Sequence, residues 1–109
     1  MSLFKVGDVL ALPYFPNQED PKEGTARYIL IVEIFNDSYS IIPFTSQIHQ
    51  SNRYENTIKI NKDDDIGKKM GLKYDSILMI DRRMEIKKIV ARPPVLGNCG
   101  EDFLEENNL

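Results

Sequence analysis

The residues best suited to chemistry in this 109-residue chain are those that can hold a phosphate or meet a nucleobase. Arg27 stands where a polar segment runs into the most hydrophobic stretch, YILIVEIF, from Tyr28 to Phe35. A guanidinium does not readily serve as an acid at neutral pH, but its planar fork of donors suits a phosphate and the negative charge that grows on it during transfer. The plainer reading is a strand-edge arginine with its aliphatic stem on the sheet. Thr45-Ser46-Gln47 follows the next hydrophobic run: a hydroxyl at a strand end can donate to a phosphate oxygen, and Gln47 can read a base edge. Ser and Thr are also common in ordinary turns. His49, the only histidine, sits in a polar loop near Arg53 and Tyr54 and can move a proton near neutral pH or stack on a base, or be incidental. Arg82-Arg83, with Lys87-Lys88 close behind, makes a basic spot that can bind phosphates or simply face water. Tyr14 and Phe15 border the first polar loop and can stack on a base, although such residues commonly belong to the core.

Other chemistries are poorly provided for. Cys99 is the single cysteine, so no internal disulfide and no cysteine-based metal cluster can form. With one histidine as well, a conventional zinc site is hard to assemble. The run DDDIGKK, from Asp63 to Lys69, lacks the alternating ligands and final Glu of a calcium loop, and charge at a helix N-terminus suffices to explain it. No Ser-His-Asp spacing suggests a hydrolase triad. The net charge of -3, with 28% charged and 41% hydrophobic residues, argues against a general nucleic-acid coat protein but leaves room for a local basic groove. No apolar run approaches the roughly 18 residues needed to span a bilayer, and MSLFKVGD lacks a hydrophobic segment of signal-peptide length; the expected location is the cytoplasm, with no membrane contact.

The elements that must position these groups read as mostly β. Short runs of Ile, Val, Leu, Phe and Tyr are separated by Gly, Pro, Asn and Asp. Strands are expected at Val9 to Tyr14, Tyr28 to Phe35, Tyr39 to Phe44, Thr57 to Ile60, Ser76 to Ile80 and Ile86 to Ala91. Asn17 to Thr25 reads as a solvent-facing loop, and Ser46 to Tyr54 as a loop or irregular turn. Pro43 cannot donate to a ladder, so its strand should be at an edge or end there. One short helix is expected near residues 62–70, capped by Asn61 or Asp63, stopped at Gly71, with Ile66 and Met70 on one face. The whole chain, 1–109, reads as one domain, with 92–109 a Pro/Gly-rich and acidic tail that is at best a short helix.

Four stretches in this order resemble the MazF/PemK toxin family: KVGDVLALPYFP as a first strand opened by Gly-Asp-Val, GTARYILIVEI as a loop-end arginine before a central strand, IIPFTSQIHQ as a strand ending in threonine, and GLKYDSILMIDRRMEI as a late Gly-Leu-x-x-Asp-Ser motif. The likeness covers about residues 4 to 90. It departs where the family usually has proline after the arginine and this chain has Tyr28, and where Asp81-Arg82-Arg83-Met84 stands in place of the family's late Gln and Arg. The family's late helix is expected to be replaced here by the Pro/Gly-rich tail.

The resemblance implies an SH3-like barrel of the MazF/PemK/CcdB type, usually a homodimer, with a cognate antitoxin peptide laid across its RNA groove. It implies a sequence-specific endoribonuclease acting on single-stranded RNA without metal or other cofactor. The motif match puts the catalytic pair at Arg27 and Thr45, with Tyr14, Phe15, Ser46, Gln47, His49, Arg82 and Arg83 available for substrate placement. Two alternatives stand beside it: a noncatalytic barrel that binds RNA or a protein partner, and a CcdB-like toxin directed at gyrase by protein contact.

Overall fold

Most of the hydrophobic runs become strands, because alternate Ile, Val, Leu, Phe and Tyr side chains project to the two faces of a pleated sheet. The computed structural model describes residues 3–16, 24–45, 56–91 and 94–109, with backbone alone at 13–16, 24–27 and 90. The strands are β1 (Asp8–Pro16), β2 (Gly24–Ile34), β3 (Ser38–Thr45), β4 (Thr57–Ile60), β5 (Ser76–Met79), β6 (Met84–Lys87) and β7 (Val95–Asn98). Two short helices accompany them, α1 (Asp65–Met70) and α2 (Glu101–Glu106). All pairings are antiparallel, in the order β4-β5-β3-β2-β1-β7, with β6 also on β3, and the sheet curls into a half-barrel.

Ile29, Leu30 and Ile31 are each fully buried although neighbours along a strand point to opposite faces, so β2 is covered on both sides. One core gathers Val9, Leu30, Ile42, Phe44, Ile60, Met70 and Leu78 beneath the helices. The other gathers Leu10, Leu12, Ile29, Ile31, Tyr39 and Ile41, closed by Phe4 and Ala91. That double burial is why YILIVEIF reads as a nearly unbroken apolar run.

The late Gly-Leu-x-x-Asp-Ser motif has a structural explanation. Gly71 ends α1 in the left-handed conformation, φ 73°, and the Leu72 N–H donates to the Gly67 carbonyl at 3.1 Å. The Asp75 carboxylate accepts from the Lys62 N–H at 3.0 Å, tying the turn before β5 to the approach to α1. Ser76 Oγ donates to the Tyr74 carbonyl at 2.9 Å.

Several expectations change. Among the described residues there are two short helices rather than one, and residues 95–106 are part of the fold rather than a tail: β7 pairs with β1, and Leu104 of α2 is buried against the first core. Four acidic residues in EDFLEENNL conceal a helix that buries essentially one side. The sixth strand is Met84–Lys87, and Lys88–Val90 is a 3-10 turn whose Lys88 N–H donates to the Asp37 carbonyl at 2.9 Å. Strand β2 begins at Gly24, within the expected loop. Pro43 lies in a central strand, but between the segment of β3 that pairs with β6, Ser38 to Ile41, and the segment that pairs with β5, Phe44 and Thr45. Along that edge the ladder is interrupted where proline would weaken it. No helix among the described residues is long and apolar enough to cross a membrane.

Asn98 joins the two ends of the described fold. Its Nδ2 donates to Asp8 Oδ1 at 2.9 Å and to the Val6 carbonyl at 3.2 Å, and its Oδ1 accepts from the Gly100 N–H at 2.7 Å. Asp8, largely buried, also accepts from the Lys5 N–H at 2.8 Å through Oδ2. Asn98→Ala leaves these partners unmatched and is expected to lower stability by about 1–3 kcal/mol, read as an earlier midpoint in urea with unchanged slope.

Candidate active site

Arg27 belongs to β2 and Thr45 to β3, neighbouring strands of the sheet. In β2, Arg27 pairs through its backbone with Leu12 of β1. The β2–β3 ladder runs Ile31–Ile41, Leu30–Ile42 and Ile29–Pro43. Carrying that register on by two residues sets position 27 opposite position 45; the ladder itself ends at Ile29–Pro43, and beyond it Phe44 and Thr45 pair with Leu78 and Ile77 of β5. Position 27 follows Ile31 and Ile29 along one face, and position 45 follows Ile41 on its partner, so both continue the second core beyond its apolar end. Thr45 is half-buried there.

Tyr28, at the place where the resembling family usually has proline, pairs with Ala11 and packs half-buried against the first core, on the sheet face opposite to position 27. Burial foremost, and then the neighbouring Tyr74 phenol, raises its pKa above the ordinary 10.0. Tyr74 is 64% exposed and was not among the residues picked out from sequence; standing between Leu72 and Asp75 it had no hydrophobic run to mark it.

Tyr14 and Phe15 belong to β1, where the register with β2 shifts between Leu12 and Phe15, so Tyr14 falls in an irregular step. Ser46, Gln47 and His49 lie outside the described residues. Where the chain resumes, Asp81 anchors Asn56: Oδ2 accepts from its backbone N–H at 3.0 Å and Oδ1 from its Nδ2 at 2.9 Å.

Arg83 is held away from Thr45. Arg82 ends the 3-10 turn Ile80–Arg82 that links β5 to β6 and is half-buried. Arg83 donates through Nε to Ser40 Oγ at 2.7 Å and through Nη2 to Glu33 Oε1 at 3.0 Å. Ser40 is five residues from Thr45 along β3, about 17 Å of extended strand, and projects to the other face. Within the basic spot seen in the sequence, Arg83 thus serves as an anchor between β2, β3 and the turn before β6.

An open groove of about 540 Å³ lies between α1 and α2, lined by Ile58, Ile66, Lys69, Phe103 and several carboxylates. Asp65, Glu101, Asp102 and Glu106 on its wall disfavour a phosphate backbone, and Ile58 puts it on the other side of β4 from Lys59. Cys99 also borders this groove but is nearly sequestered; burial first, with the Asp8 charge adding to it, pushes the thiol up to about 11. The folded state therefore keeps a proton that the unfolded chain releases near 9.0. The resulting stability is whole below that pH and is lost as pH rises toward 11. Cys99→Ala should consequently show a shallower fall in unfolding free energy between pH 9 and pH 11 than the parent protein, measured by urea titration.

No protein-family model matches the chain, and no curated protein matches it. The site must be argued from its own residues.

Proposed function

We propose that the chain is a toxin-like endoribonuclease of the MazF/PemK kind, built on an SH3-like barrel, that cuts single-stranded RNA at a short sequence. The observation that supports this reading is the β2–β3 register, which, carried two residues past its last pair, brings a guanidinium-bearing position opposite a hydroxyl-bearing one beyond the end of an apolar face. In this reading Thr45 orients the scissile phosphate and Arg27 neutralises the charge that builds on its oxygens. The 2'-hydroxyl next to the phosphate attacks phosphorus. The 2'-oxygen–phosphorus bond forms, the bond from phosphorus to the 5'-oxygen breaks, and the proton lost by the 2'-hydroxyl is balanced by one gained at the leaving 5'-oxygen. The products are a 2',3'-cyclic phosphate and a 5'-hydroxyl, and DNA, lacking the nucleophile, is not cut.

Ser46, Gln47 and His49 enter this reading as residues for choosing and placing the substrate, a homodimer as the working form, and a cognate antitoxin peptide as the regulator. The test is incubation of the purified protein with a long defined single-stranded RNA in EDTA, followed by mapping of new ends. Cuts at a recurring short sequence, with 5'-hydroxyl termini, are expected. Intact RNA at high protein concentration across several unrelated substrates would sink the proposal.

A further inference from the structure

The sheet register carries a further cation into the row that holds Thr45. Thr45 pairs with Ile77 across β3 and β5, and Ile77 pairs with Lys59 across β5 and β4. Directly paired residues project to the same face, so Thr45, Ile77 and Lys59 form one lateral row whose ends are two strand spacings apart, roughly 9–10 Å. Ile77 is fully buried and Lys59 exposed, so the ammonium stands at the outer end of the row. Three other described cations are engaged or face elsewhere. Arg83 is held by Glu33 and Ser40, Lys88 lies 5.4 Å from the centre of the Tyr39 ring, and Lys69 lines the groove on the other side of the sheet. Lys59 has no ion-pair partner among the described residues.

We infer that Lys59 binds a backbone phosphate of the substrate strand next along from the phosphate seated at Thr45. This rests on the ribonuclease reading and adds to it a residue. A compact ammonium on a long stem supplies a point charge for a phosphate and no base information, so Lys59 contributes affinity and leaves sequence choice to other residues.

The inference is tested by titrating a fluorescein-labelled single-stranded RNA, made uncleavable by 2'-O-methyl groups, over about 50 to 200 mM salt. Lys59→Gln is expected to weaken binding roughly five- to tenfold at the low-salt end and to reduce the slope of log affinity against log salt by about one. Lys59→Arg should retain both affinity and slope. On cleavable RNA the loss for Lys59→Gln should fall on KM. Lys68→Gln, which removes the same charge from α1, serves as the comparison and should leave the slope unchanged. Unchanged affinity and slope for Lys59→Gln, in a protein that binds and cuts RNA, overturns the role of Lys59 and leaves the ribonuclease reading intact. An equal loss for Lys68→Gln overturns it too, since net charge would then be the cause. A parent protein that binds no RNA overturns both.

Discussion

Replacing Arg27 by alanine should lower the rate of RNA cleavage by about two to three orders of magnitude, the usual effect of removing one preorganised donor from a developing anion. The fold should survive, because Arg27 holds β2 to β1 through its backbone pairing with Leu12, which alanine retains. Arg27→Lys separates charge from geometry. An ammonium keeps the positive charge but loses the forked pair of donors, so an intermediate rate is expected. Single-turnover cleavage of a defined RNA, with circular dichroism on the same samples, measures both quantities. A rate for Arg27→Ala within a few-fold of the parent would remove arginine from the chemistry.

The largest loss of stability is expected at the contact between α1 and β7. A Cβ on Gly97 would stand 2.1 Å from the Lys69 carbonyl oxygen and 2.5 Å from the Met70 carbonyl carbon. These are backbone atoms, so no side chain can swing aside, and α1 must shift from the strand. Gly97→Ala is therefore expected to cost about 3 kcal/mol or more, toward the upper end of overpacking effects. Gly100 provides the contrast: its φ of +85° disfavours a side chain, but nothing lies within 4 Å of the added carbon. Gly100→Ala should cost only about 1–2 kcal/mol, the backbone component alone. Urea midpoints of the two variants decide the point, and equal losses would refute the close-approach argument.

The sequence discloses those parts of the fold whose cause is local. Thr57 to Ile60 alternates and is a strand with those bounds, and Gly71 stops α1 as a left-handed cap. What it conceals depends on distant partners. Strand β7 is four residues long and contains Gly97, so its pairing with β1 and its contact with α1 have no local signature. The site is split in the same way. Arg27 and Thr45 stand out because each lies at the end of a strong hydrophobic run, whereas Lys59 looks like any solvated lysine until two ladders place it in the row of Thr45. Arg83 is only half legible: its charge is visible, but its partners Glu33 and Ser40 are 50 and 43 residues away.

The bond between Asn98 and Asp8 spans 90 residues of sequence. During synthesis β1 emerges well before β7, and its outer edge then waits for a partner made some 90 residues later. Until β7 arrives, that edge offers unpaired backbone groups to any neighbouring chain, the situation that favours intermolecular strand addition. The sheet closes only once β7 has been made, and a product terminated before Val95 is a candidate for aggregation and proteolysis rather than a shortened working protein.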